Sequence, residues 1–101
     1  MEHIDIANNI KAVEMMKVEI LQNITNLFAD ITAEADSDSA MRLADDAARL
    51  INMTFLLCGR LGVAYDEIRS RMKAYLNDGI AQQHMIEKRF GDLSNLLDKL
   101  K

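Results

Sequence analysis

The chain has 101 residues, half of them hydrophobic and 28% charged, which predicts one soluble globular domain rather than a disordered segment. A net charge of −4 and only five aromatic residues leave neither a basic footprint nor a stacking surface for nucleic acid. Proline is absent and glycine occurs four times, so long uninterrupted helices are favoured.

The first predicted helix runs from about Asp5 to Ala33. Ile6, Ile10, Val13, Ile20, Ile24, Leu27 and Ile31 step alternately by four and three, with one vacancy at Lys17. This a/d seam covers nearly four heptads. Leu21 and Phe28 widen it on one side, and Glu14 holds the equivalent flanking position a heptad earlier. Residues 34–39, EADSDS, break the pattern and offer Asp36, Ser37, Asp38 and Ser39 as N-caps. A connection this short predicts antiparallel neighbours.

The second predicted helix spans about Ala40 to Leu61. Leu43, Ala44, Ala47, Leu50, Ile51, Thr54, Leu57, Cys58 and Leu61 form a broad face, and Met53, Phe55 and Leu56 make its second half apolar almost all round. Gly62 reads as the left-handed residue that stops it. A third helix is expected from Tyr65 to Asn77, with Ile68, Met72, Tyr75 and Leu76 inward and Asn77-Asp78-Gly79 as its stop. In the last segment Ile86, Phe90, Leu93, Leu97 and Leu100 keep one phase through Gly91. One continuous helix is the favoured reading there, with a break at Gly91 as its alternative. The expected fold is all-α and four-helix-bundle-like. Its apolar surface is generous for one small bundle, which suits a homodimer or higher homo-oligomer.

The apolar run Leu50–Cys58 is too short to span a bilayer, and the N-terminal residues do not read as a signal peptide. The single cysteine, Cys58, excludes an internal disulfide and suits a reducing, cytoplasmic setting. It reads as an inert buried thiol.

No glycine-rich phosphate loop, zinc-type spacing or nucleophile elbow occurs. His3 and His84 lie far apart and read as solvated or packing residues. Carboxylates remain: Asp45 and Asp46 on the second helix, Glu14 and Glu19 on the first. Asp45 falls off the main apolar face with Arg49 and Asn52, in a strip that reads as solvated. Adjacent aspartates project about 100° apart, so both cannot readily bind one ion from a regular helix. Lys17 either reaches the bundle edge or pairs with Asp45.

The stretch Arg42-Leu-Ala-Asp45, the apolar run behind it and Arg60-Leu-Gly-Val-Ala-Tyr-Asp-Glu-Ile68 together resemble the helix pair of the all-α nucleoside triphosphate pyrophosphohydrolases. These are the MazG-like proteins and their relatives, including phosphoribosyl-ATP pyrophosphatase. The resemblance covers roughly residues 14–80. It implies an oligomer of helices with Mg²⁺ held by E-x-x-E and E-x-x-D motifs, and a K-x-x-x-N motif facing the nucleotide. Carried over, it makes Glu19 and Asp45 the metal ligands and Lys73 and Asn77 the substrate contacts. Two acidic positions are lost, to Gln22 and Arg42, and Ile80 stands where a basic residue is usual. Fewer carboxylates hold a hard cation less well. The resemblance therefore implies a nucleoside triphosphate-binding protein with a degenerate acidic site, and leaves Mg²⁺-dependent pyrophosphohydrolysis open. The residues by themselves also allow a non-catalytic helical oligomerisation module.

Overall fold

The computed structural model describes the backbone from Glu2 and the side chains from Ile6 onward, so His3 lies outside the described side chains. Among the described residues five helices follow in order: α1 (Glu2–Thr32), α2 (Ser39–Arg60), α3 (Tyr65–Ala81), α4 (Met85–Phe90) and α5 (Asp92–Leu100). There is no strand among the described residues, and the fold is all-α as expected. Among those residues no helix is long and apolar enough to cross a membrane. The chain divides into two compact units, Met1–Gly62 and Val63–Lys101.

The first unit is the α1–α2 hairpin. Its antiparallel sense is fixed at both ends, where Asn9 Nδ2 donates to the Arg60 carbonyl at 3.2 Å and Arg42 approaches Asp30 at 3.9 Å. The connection is built differently from a simple cap. Asp38 occupies the N-cap position of α2 without a side-chain bond. Asp36 instead organises the turn: its Oδ1 accepts from the Asp38 amide at 2.8 Å, and its own amide donates to Ser39 Oγ at 2.8 Å. An Asx-type turn has displaced the cap because Asp36 finds two partners locally.

The contact face of α1 is rotated from the heptad seam. Val13, Ile20, Ile24 and Leu27 are half-buried, whereas Ile6, Ile10 and Ile31 are exposed. Asn9, Met16 and Asn23 are half-buried instead. Two helices cannot enclose a seam by themselves, so no hydrophobic residue among those described is fully buried. Leu21 (65% exposed), Phe28 (61%), Met15 and Val18 face outward on α1, as do Met41 and Ile51 on α2.

The second unit is α3–α5. Here α3 runs past the expected stop at Asn77–Gly79 to Ala81. Gly79 serves packing rather than termination, since a Cβ there would meet Leu93 Cδ1 at 2.6 Å. The missing side chain lets α5 approach. The inner stripe of α3 keeps Ile68, Met72 and Leu76, while Tyr75 is exposed. The helix ends in a Schellman motif: the His84 amide donates to the Gly79 carbonyl at 2.9 Å and the Gln83 amide to that of Ile80 at 3.1 Å. Gln83 takes the left-handed position, at φ 56°. A side chain there costs about 1–2 kcal/mol that glycine avoids. Gln83→Gly is therefore expected to stabilise the protein by about 1 kcal/mol, read as a higher midpoint in urea unfolding with an unchanged slope.

The favoured continuous last helix is not observed. Gly91 adopts φ 69° and closes α4 with its amide on the Glu87 carbonyl at 2.8 Å. The Glu87 carboxylate then accepts from the Ser94 amide at 3.0 Å and from the Ser94 hydroxyl. That cap starts α5 and makes the break at Gly91 the lower-energy solution. Gly62, with φ 88°, is left-handed as expected.

Candidate functional site

One residue among those described is buried, and it carries a carboxylate: Asp46 is 5% exposed. It lies midway along the face between Leu43 and Leu50, at steps of three and four. Arg42 and Arg49 flank it at the helical spacings of four and three. Opposite on α1, half-buried Asp30 meets it. Asp46 Oδ2 has no donor. The side-chain contact with the Asp30 carboxyl is the chief cause that raises the Asp46 pKa above its ordinary value. Burial and the charge of Asp30 push the same way, and Arg49, with Nη1 3.7 Å from Oδ1, opposes them in part.

Arg42 ties this pair to the turn. Its Nε lies 3.9 Å from Asp30 Oδ1, and its Nη2 lies 3.2 Å from Asp36 Oδ2 and 3.3 Å from Ser39 Oγ. The hydrogen bond from Arg42 holds the Asp36 carboxyl below its ordinary pKa, helped by the Asp38 amide.

The metal ligands expected from the resemblance stand elsewhere. Glu19 and Asp45 are both exposed. Glu14 is paired along α1 with Lys17, Nζ to Oε1 at 3.1 Å, so Lys17 points to an exposed partner on its own helix. Gln22 is exposed too. Among the described residues no three His, Cys, Asp or Glu side chains converge as metal ligands. Mg²⁺ takes six oxygens in near-octahedral array, several of them from water or phosphate, with at least one or two carboxylates free to serve it. Exposed Glu19 and Asp45 form no such cluster, and Asp30 and Asp46 are already engaged by each other and by guanidinium groups. The described residues do not fit a Mg²⁺ site of the expected kind.

Lys73 and Asn77 do share a surface. With Asp66, Arg69, Ser70 and Ala74 they line an open groove along α3. The helical period explains it, since residues 66, 69, 70, 73, 74 and 77 fall on one side. Arg69 Nη2 donates to the Leu100 carbonyl at 2.8 Å, which satisfies an end of α5 and steadies the guanidinium beside Lys73. Lys73 is half-buried and Asn77 exposed. His84 plays a local part, its Nδ1 accepting from the Ile86 amide at the start of α4. Cys58 is a half-buried free thiol.

Sequence reasoning passed over Asp30, and weighed Asp46 beside Asp45 but gave the metal role to Asp45. The signal for Asp46 was its place between Leu43 and Leu50 on the apolar face. Asp30 carried a parallel one, three residues after Leu27.

No curated protein and no solved structure gives a significant match to the chain. The model of the MazG-like family matches residues 6–93, which takes in most of the sequence from α1 into α5. With that span of helices matched, the chain belongs to the MazG-like family.

Proposed function

We propose that this MazG-like protein binds a nucleoside triphosphate on the polar face of α3 and works as a homodimer or higher homo-oligomer. The observation that carries the nucleotide reading is the shared groove of Arg69, Ser70, Lys73 and Asn77. Two cationic side chains one helical turn apart suit phosphate oxygens, and charge-assisted hydrogen bonds are the strong ones. Ser70 and Asn77 add neutral donors and acceptors for a sugar or base. The proposal does not extend to Mg²⁺-dependent pyrophosphohydrolysis through Glu19 and Asp45, because neither joins a cluster of ligands.

Titration calorimetry with the common nucleoside triphosphates tests it. Binding is expected for the full chain. Lys73→Ala is expected to weaken it by about tenfold or more, the loss of one hydrogen bond to a charged group. Lys88→Ala, which removes an exposed lysine outside the groove, should leave it unchanged. Equal affinity in the two variants would place any nucleotide elsewhere. Pyrophosphate release at an enzymatic rate would restore the hydrolase reading.

The oligomeric part of the proposal rests on the α1–α2 hairpin. Large apolar side chains run along the outer face of α1 from Ile10 to Phe28. A row of this kind is what a helical partner covers.

A further inference from the structure

The turn end of the α1–α2 hairpin gathers three carboxylates and two guanidinium groups. Asp30 lies in the last turn of α1, Asp36 in the connection and Asp46 two turns into α2. Brought together without counter-charge, they would repel one another. A divalent cation is one way to hold such a group, and it needs the oxygens bare. Here those of Asp30 and Asp36 are not bare. Arg42 reaches Asp30 at 3.9 Å and Asp36 at 3.2 Å, and Arg49 reaches Asp46 at 3.7 Å. The Arg42 backbone is itself fixed, its amide on the Asp38 carbonyl at 3.0 Å.

We propose that Arg42 is the built-in counter-ion of this hairpin, holding Asp30 and Asp36 together in place of a divalent cation and closing the turn end of the hairpin to Mg²⁺. A guanidinium suits the role. It is always charged, and its planar fork serves two acceptors at once. Its side chain is 37% exposed, between Asp30 at 30% and Asp36 at 56%, so the bridge is partly sheltered from screening. One residue lowers the negative charge at this end of the hairpin twice over. It stands where the resemblance expects a carboxylate, and it spends the charge of two others. The inference is independent of nucleotide binding on α3.

The test uses the full chain and Mn²⁺ alone as a paramagnetic substitute for Mg²⁺, with free ion read by electron spin resonance. Wild type and Asp30→Asn are expected to retain Mn²⁺ equally. Arg42→Gln, which keeps the carboxylates and removes the cation, is expected to retain it about tenfold more tightly than wild type. Its melting temperature should fall in metal-free buffer and recover on adding Mg²⁺, beyond the effect of matched ionic strength. Arg42→Glu adds a further carboxylate. It should show the larger metal dependence, and if it folds only with Mg²⁺ the proposal is supported. Lower retention by Asp30→Asn than by wild type would overturn it, because the pair would already be binding the ion. Retention by Arg42→Gln no greater than that of wild type would overturn it as well.

Discussion

Phe28→Asp is expected to reduce the protein to single chains, with light scattering reading one copy where wild type reads two or more. Phe28 is 61% exposed on α1, in line with Leu21 a heptad earlier. On a true solvent face, a substitution there would change stability by no more than about 0.5 kcal/mol. On a covered face it removes a buried aromatic ring worth about 1.5–3 kcal/mol and puts an unpaired charge in its place. The expected loss is therefore at least about 2 kcal/mol, which marks an interface anchor. Leu21→Asp should act in the same direction. Glu19→Gln, exposed on the same helix, should leave the mass unchanged. Wild type already running as a single chain, with Phe28→Asp as stable as wild type, would remove the oligomeric proposal.

The second large effect belongs to Asp46. Its folded pKa lies above the ordinary value of 3.8, mainly through its side-chain contact with Asp30. Below 3.8 the carboxyl is protonated in both the folded and unfolded states. As pH rises from there toward the raised folded value, the unfolded chain releases its proton first. Stability therefore falls across that window and stays lower above it. Asp46→Asn removes the titration and gives Asp30 a neutral donor. It is expected to raise the melting temperature at neutral pH, with the gain closing as pH drops below 3.8. Asp36 acts with the opposite sign. Its folded pKa is lowered by Arg42, so its stabilisation is present above 3.8 and is lost as pH falls through the folded value. Melting curves of both Asp→Asn variants against pH separate the two. An Asp46→Asn variant less stable than wild type at neutral pH would show that the buried group is wanted as an anion, held by Arg49.

Much of the fold was legible in the residues. The four-three steps from Val13 to Leu27, the apolar breadth of α2, the absence of proline and the left-handed Gly62 all act within a turn or two of chain. They gave α1, α2 and the start of α3 to within a few residues. Helix ends were less legible. Asn77-Asp78-Gly79 has the composition of a stop, yet Gly79 is kept small for Leu93, fourteen residues on. Gly91 keeps the apolar phase of one helix and still breaks it, because Glu87 caps the next turn through Ser94.

The sequence by itself determined that this chain is helical and where its main hairpin turns. Those are local properties, fixed by backbone geometry and a repeat of 3.6 residues. Which of the adjacent aspartates turns inward was decided only by the tertiary structure. The hairpin register sets Asp46 against Asp30, sixteen residues away, and leaves Asp45 outside. The same register brings Arg42 to Asp30 and Asp36. Read in one dimension, Arg42 is a missing carboxylate. In three it is the cation that the remaining carboxylates share, because electrostatic partners are chosen by distance through space and not by spacing along the chain.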